Sequence, residues 1–262
     1  MQKEELLKQM SPQERLLFAK VLDAAKSSQK NHKKTTTDFI DKGKNGIFLE
    51  KVKYIRDLQV MAFAANTDCE RRMLAFAPEY MHLSEEDFPI KAIHITKNKK
   101  FGQKDLNHRD YLGSILGLGI DRSKVGDILL LEEETICYIH QELAEYVCAA
   151  LQKVSHTNVK TSVSDVFSVI LPQKQWQYRT MTVASLRLDA VAGGGFHLSR
   201  AKVQALIKGE KVQVNWSTIT SPSILLKEGD MISIRGFGRV KLFEIGGMTK
   251  KDRICVTVGQ EK

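Results

Sequence analysis

Three hydrogen-bond donors recur at four-residue intervals late in the chain: Arg200, Gln204 and Lys208. On a helix this spacing places them in one row along a shared face. Ser199 stands directly before the row and is a good N-cap, because its oxygen accepts a hydrogen bond from an otherwise unpaired amide of the first turn. A helix N-terminus also carries partial positive charge. The segment therefore predicts a helix suited to binding phosphate groups; the alternative is an ordinary solvated helix face.

The strands predicted after this helix carry further cations. Arg235 and Arg239 flank Phe237 in a loop with two glycines. Guanidinium groups suit phosphates, and an aromatic ring can stack on an unpaired base. Trp216 falls on the apolar face of the strand predicted at 212–216, so we predict that it packs in the core and is not a stacking surface.

The distribution of charge favours a polyanionic partner for the last third of the chain. The 262 residues have a net charge of +9 and a sequence pI of about 9.3. Residues 179–258 contain 13 Lys and Arg against 6 Asp and Glu, whereas residues 1–178 contain 26 against 24. Such asymmetry is typical of nucleic-acid binding, and the alternative is a surplus of charge that serves solubility.

The composition argues against several other classes of protein. The longest apolar run, near 111–120, has about ten residues and is too short to span a bilayer. The first residues include acids and lack the apolar segment of a secretory signal. The four cysteines lie far apart, which indicates reduced thiols. We therefore expect a cytoplasmic protein without a membrane partner, and neither the histidines nor the cysteines have the spacing of a metal site, so we expect no metal or cofactor.

The elements that would position these residues predict an α+β protein of several domains. Residues 1–80 are predicted to be mainly helical. Residues 81–166 show the order β-α-β-β-α-β of ferredoxin-like and RNA-recognition-motif folds, with Tyr138 as the one evident stacking aromatic of the sheet. Residues 167–181 are predicted to be a linker, and residues 182–262 a small α+β domain.

Residues 182–241 resemble the small RNA-binding domain named after small-subunit ribosomal protein S-four, with its helix, capped basic helix, short strand and Gly-Asp turn. The whole chain is similar to the bacterial YlmH family. That similarity is carried by Glu70-Arg71, by the central segment 119–128, by Val214-Asn215-Trp216 and by the basic loop at 235–239.

The resemblance implies RNA binding and association with the ribosome, where members of this family act on large subunits obstructed by peptidyl-tRNA. The implied partners are rRNA, tRNA or both, and the ribosomal large subunit; no catalytic residue is expected. S-four-type domains read shape and backbone, so a weak sequence preference is expected. The predicted RNA contacts are Arg187, Ser199, Arg200, Lys202, Gln204, Lys208, Lys211, Arg235 and Arg239.

Two other functions fit parts of the sequence. Arg187-Leu188-Asp189 is similar to the catalytic Arg-Leu-Asp of RNA pseudouridine synthases, but only 73 residues follow Asp189, which leaves no room for a catalytic domain. We expect Asp189 instead to hold Arg187 or to cap a turn. Alternatively, the chain is an interaction protein whose residues 1–80 recruit a protein partner while the RNA-binding domain acts as a tether.

Overall fold

The chain forms two compact units. They divide between Ile170 and Leu171. Residues 1–80 and 81–166, which the sequence predicts to be separate domains, therefore lie in one unit. Among the residues whose structure is described, no helix is both long enough and apolar enough to cross a membrane. The computed structural model describes residues 12–53, 55–66, 69–97, 106–171 and 176–261.

The N-terminal part of the first unit is mixed, and the prediction of a mainly helical region is wrong. Its strand β4 pairs with the three other strands of this part. Strand β4 is buried along nearly its whole length, so apolar residues occupy both of its faces and the alternation that marks a strand in a sequence is absent. The elements are α1 (Pro12–Asn31), β1 (Thr35–Thr36), β2 (Ile40–Asp41), α2 (Lys42–Val52), β3 (Leu58–Phe63) and β4 (Arg71–Pro78).

The central part contains the predicted six elements in the predicted order, with one short strand added. Its sheet has the order β6-β7-β5-β9-β8, and all neighbouring strands are antiparallel. Tyr111 and Ile115 of α3 and Val147 of α4 pack against one face of this sheet. The elements are β5 (Ile90–Lys97), α3 (His108–Leu116), β6 (Val125–Leu130), β7 (Thr135–His140), α4 (Gln141–Ala150), β8 (Lys153–Val154) and β9 (Thr157–Asp165).

The opposite face of the central sheet is covered at Tyr138. Tyr138 is only 1% exposed. A methyl group added to Gly126 would lie 2.9 Å from the Phe39 ring and 3.0 Å from Cβ of Tyr138, so the N-terminal part packs onto the sheet here. Burial raises the pKa of Tyr138. Tyr138 is therefore a core residue, and the one evident stacking aromatic of this sheet is not accessible to a base.

A buried arginine joins the two parts of the first unit. Arg71 donates hydrogen bonds to the backbone carbonyls of Phe39 (2.9 Å) and Arg122 (2.6 Å). The Asp127 carboxylate accepts the amide hydrogens of Glu70 (3.1 Å) and Arg71 (2.9 Å). Burial, together with the nearby Arg122, lowers the pKa of Arg71 to about 10. Two segments that carry the family resemblance, Glu70-Arg71 and 119–128, thus contact each other.

The second unit is a six-stranded sheet with two helices on one face. The strand order is β10-β15-β14-β13-β11-β12. Val191 of α5 and Val203 of α6 belong to a core that includes Val240, Leu242 and Val258 of the sheet. The elements are β10 (Trp176–Val183), α5 (Leu188–Gly195), α6 (Arg200–Lys208), β11 (Val212–Val214), β12 (Ser217–Thr218), β13 (Met231–Ile234), β14 (Gly238–Met248) and β15 (Ile254–Glu261).

Strand β10 begins inside the segment 167–181, so the linker predicted there is too long. The strand pairs with β15 along its whole length, from Trp176 opposite Glu261 to Val183 opposite Ile254. Because β10 lies at the sheet edge and most of its residues are exposed, it carries polar residues that resemble those of a loop.

Candidate nucleic-acid interface

A buried carboxylate organises the start of the second unit. Asp189, in the first turn of α5, is fully buried. Arg187 donates to it from Nε (3.1 Å) and Nη2 (3.2 Å), which confirms the prediction that Asp189 holds Arg187. From helix α6, Arg200 Nη2 and Gln204 Nε2 also donate to Asp189 Oδ2, at 2.9 and 2.8 Å. We call these four residues the Asp189 clamp.

The Asp189 clamp keeps its buried carboxylate ionised, while its two arginine side chains stay partly exposed. Burial alone would raise the pKa of Asp189, but the hydrogen bonds from Arg187, Gln204 and Arg200 outweigh it and hold this pKa well below its usual range. The hydrogen bond to Asp189 in turn raises the pKa of Arg187. The side chains of Arg187 and Arg200 remain 35% and 52% exposed. Each guanidinium has five N–H donors, so both retain donors that can bind a ligand.

Glycines let the elements around the clamp approach closely. A methyl group on Gly193 would lie 3.1 Å from the carbonyl oxygen of Leu198, and one on Gly195 would lie 3.0 Å from Val240. Both glycines belong to helix α5 and both are buried. Gly193 lets α5 approach the segment before α6, and Gly195 lets it approach β14, so the first of these contacts helps to set the position of Arg200 relative to Arg187.

Helix α6 has the predicted structure. Ser199 is its N-cap, and its Oγ accepts a hydrogen bond from the Lys202 amide at 3.2 Å. The buried side of the helix carries Val203, Leu206 and Ile207. Lys202 and Lys208 are exposed. The helix therefore presents exposed donors from its first turn to its last.

The other three predicted contacts meet at the β13–β14 hairpin. Lys211, Arg235 and Arg239 line a cavity of about 380 Å³, which we call the hairpin pocket. The Arg235 amide donates to the Lys211 carbonyl oxygen at 2.9 Å. Gly236 and Gly238 have φ of +86° and +88°, a backbone conformation that favours glycine. The remaining lining residues are Glu210, Gln213, Ser233, Ile234, Gly236 and Gly238.

The prediction that Trp216 continues a strand is wrong, because strand β11 ends at Val214 and the chain turns directly after it. Val214 pairs with Ser217, so Asn215 and Trp216 form a two-residue turn. Both have positive φ, 48° and 65°, as a hairpin turn of this length requires. The Asn215 side chain fixes the turn by accepting from the Met231 amide at 3.0 Å.

Five of the nine predicted contacts thus lie on α6 or at its N-cap, Arg187 lies directly before α5, and the other three line the hairpin pocket. The contact of Asp189 with Arg200 and Gln204 was not predicted. The spacing of Arg187 and Asp189 suggests a local ion pair, but no local pattern reveals that a carboxylate of one helix binds donors of the next. That the nine residues touch RNA remains a prediction.

Comparisons with known proteins agree with the sequence resemblance. Residues 84–167 match the family model described as "Putative RNA-binding domain in YlmH", and residues 186–232 match the S4 domain, which is the S-four type. The chain is 35% identical over 250 residues to the "Ribosome-associated protein quality control protein P2" of Bacillus subtilis, which covers 95% of this chain and 96% of that protein. The chain belongs to the YlmH family. The predicted resemblance to YlmH proteins is therefore confirmed.

A solved YlmH structure has a similar fold. It is the "Cell division protein ylmH from Streptococcus pneumoniae", which matches with a TM-score of 0.53 and 22% sequence identity. The match covers 62% of this chain and 96% of that one. At this identity the likeness concerns the fold alone.

Proposed function

We propose that this YlmH-family protein is a non-catalytic, cytoplasmic RNA-binding protein that binds structured rRNA or tRNA on the ribosomal large subunit, in ribosome rescue or quality control. The observation that carries the proposal is the Asp189 clamp, which orients two partly exposed guanidiniums beside the N-terminus of a basic helix. The matches to two RNA-binding families and the name of the Bacillus subtilis relative support the class of ligand and the ribosome as its location.

Pre-orientation is the physical advantage of this arrangement. A free arginine side chain loses rotamer freedom when it binds a phosphate, and that loss weakens binding. Arg187 and Arg200 are already held by Asp189, so less freedom remains to be lost. Guanidinium forks match phosphate oxygens, and the amides at the start of α6 favour an anion in the same place. The clamp therefore suits an RNA backbone of fixed shape.

The central part also has the element order of an RNA-binding fold. We assign its β-α-β-β-α-β order and its β6-β7-β5-β9 sheet to the ferredoxin-like plan of RNA-recognition motifs. In such motifs, aromatic side chains on the sheet stack on bases. Here Tyr138 is buried beneath the N-terminal part, so we place the main RNA contacts in the second unit.

A catalytic role for Asp189 is the weaker alternative. A pseudouridine synthase uses its aspartate on the reacting nucleotide, which requires access to the carboxylate. Asp189 is fully buried, and Oδ2 already accepts from Arg187, Arg200 and Gln204. These contacts favour a positioning role. The scaffold alternative, with residues 1–80 as the recruiting part, is decided by whether RNA affinity resides in the clamp.

Substitution of Arg200 tests the proposal. We expect Arg200→Ala to weaken binding of the full chain to large subunits and to tRNA by about 10-fold, because a charge-assisted contact is lost. We also expect the slope of log K against log salt to fall in magnitude by about 1. Binding is measured by fluorescence anisotropy at several salt concentrations.

Lys250→Ala is the matched control, since Lys250 is an exposed cation of the same unit outside the clamp and the pocket. It should change affinity by less than about 2-fold and leave the salt slope nearly unchanged. If Arg200→Ala left both affinity and salt slope as in the unmodified chain, Arg200 would not lie at the interface. Equal effects of the two substitutions would point to non-specific charge attraction.

A further inference from the structure

We propose that the second unit has a separate binding surface for unpaired RNA nucleotides, on the face of its sheet that points away from helices α5 and α6. We call this surface the outer face; its central residues are Trp176, Tyr178, Lys241 and Phe243. The inference rests on RNA being the ligand, as proposed above. Besides the clamp, the protein would then have a second site with a different ligand, single-stranded RNA.

Burial along the strands defines which residues point to the outer face. On β14, Val240 and Leu242 are fully buried in the core beneath the helices, so Arg239 and Lys241 point the other way. In the paired register, Tyr178 of β10, Gly259 of β15 and Lys241 of β14 stand side by side across three neighbouring strands. The cation and the aromatic ring are thus in one row.

Three aromatic rings form a cluster on this face. The Phe243 ring centroid lies 5.2 Å from that of Trp176 and 4.9 Å from that of Tyr178, and both pairs are edge-to-face. Tyr178 is 60% exposed, although it belongs to this cluster. Aromatic rings exposed on a sheet are the usual stacking surface for unpaired bases, because every base has a π-face.

Gly259 provides the space in which these rings lie. A methyl group at this position would be 2.6 Å from Cε2 of Phe243 and 3.2 Å from Cε3 of Trp176. The missing side chain therefore lets the two rings lie close over the backbone of β15. Lys241 Nζ lies 4.9 Å from the Phe243 ring centroid, a cation–π distance. A positive charge is thus held directly beside the stacking surface.

The outer face continues into the hairpin pocket. Arg239, which lines the pocket, lies two residues before Lys241 on the same face of β14, or ~7 Å along the strand. Ser233, the cross-strand neighbour of Arg239, and Gln213, the cross-strand neighbour of Ser233, line the pocket as well. The aromatic cluster and the cations therefore lie on one continuous strip of the sheet.

Charge favours an RNA strand over a protein as the occupant. Lys211, Arg235, Arg239 and Lys241 lie along the strip. Glu210 lines the pocket, and Glu244 follows Phe243 on β14, where it accepts a hydrogen bond from Thr257 at 3.5 Å. The cations on the strip match the regular charge of a phosphate backbone, and the rings match its bases.

The test compares two RNA probes on the full chain: a labelled single-stranded oligonucleotide without self-complementarity and a labelled, blunt-ended RNA duplex. We expect Tyr178→Thr to weaken binding of the single strand by roughly 5- to 100-fold. We expect Tyr178→Phe, which keeps the ring, to restore it. Affinity for the duplex should stay within about 2-fold, since the clamp is intact.

Two further measurements guard against a folding defect. Lys241→Gln removes a charge without removing a ring and should also weaken the single strand selectively. In a Trp216→Phe background, Trp176 is the one tryptophan, so quenching of its fluorescence by the single strand reports stacking at this surface. Tyr80→Ala, which removes an exposed aromatic of the first unit, is the control and should change neither affinity.

The outcomes separate this inference from the proposed function. If neither probe binds the unmodified chain, the RNA-binding function itself fails. If the duplex binds and Arg200→Ala weakens it, while Tyr178→Thr and Lys241→Gln leave binding of the single strand unaffected, the outer face is not an RNA site and the function stands. Equal loss of both probes in Tyr178→Thr would also overturn the proposal.

Discussion

The central sheet and the C-terminal sheet have the same layered plan but differ in what happens on the second face. Each packs helices on one face. On the central sheet, the other face meets Phe39 of the N-terminal part, and Tyr138 is buried beneath it. On the C-terminal sheet, Tyr178 is exposed beside Lys241 and Arg239. A sheet can bind RNA only through a face that nothing covers, so the element order alone does not locate the binding surface.

The same comparison explains the placement of charge. Arginine is used in both units, but with different consequences. Arg71 of the first unit is buried and bonds to backbone carbonyls, where it fixes the packing of two parts. Arg187 and Arg200 of the second unit share a buried carboxylate yet stay partly exposed. Only the second arrangement leaves guanidinium donors for a ligand.

The largest effect is expected from removing the cover of the central sheet. Phe39 is 2% exposed, so Phe39→Ala should destabilise the first unit by about 3–5 kcal/mol. Both tryptophans, Trp176 and Trp216, lie in the second unit, so their fluorescence reports its unfolding separately. We expect the far-UV circular dichroism transition in urea to move to lower concentration while the tryptophan transition stays in place.

Affinity of Phe39→Ala for RNA should be close to that of the unmodified chain under conditions where both units are folded. A gain in affinity would mean that uncovering Tyr138 creates a stacking surface. A large loss would mean that the first unit carries RNA contacts and would break the contrast between the two sheets.

A smaller loss of stability is expected from neutralising the clamp. Asp189→Asn keeps the shape of the side chain but removes its charge, so Arg187 and Arg200 lose a charged acceptor. We expect the tryptophan transition in urea to indicate a loss of roughly 1.5–3 kcal/mol. RNA affinity should fall as well, because the two guanidiniums are no longer oriented. A variant as stable as the unmodified chain, with unchanged affinity, would contradict the role given to the clamp.

The pH dependence of stability is a second test of the Asp189 clamp. The folded-state pKa of Asp189 is held below that of an unfolded aspartate, which is about 3.9. The ionised carboxylate therefore stabilises the fold above about pH 4, and this contribution is lost as the pH falls through the folded-state pKa. The difference in stability between the unmodified chain and Asp189→Asn should be constant near neutral pH and should narrow below about pH 4.

Local signals account for what the sequence predicted correctly. Helix α6 has its N-cap serine, its apolar stripe and its C-terminal glycine within eleven residues, so it was predicted at the right place. The resemblance to the YlmH family rested on short segments of consecutive residues, such as 119–128 and 235–239. Strand β4 was missed because it is buried on both faces and shows no alternation. Trp216 was misplaced because a tryptophan with positive φ is rarely expected in a turn. The three-sided contact at Asp189 depends on the packing of two helices, which no local pattern encodes.

Binding to RNA on the ribosome is tested by ultraviolet crosslinking of the protein in cells, with sequencing of the attached RNA and identification of the crosslinked peptides. We expect crosslinks concentrated in large-subunit rRNA and tRNA, with peptides from 187–211 and 235–239, and co-sedimentation of the protein with large subunits. Scattered or absent crosslinks, with the protein remaining at the top of the gradient, would contradict it. The search for function would then move to protein partners of residues 1–80.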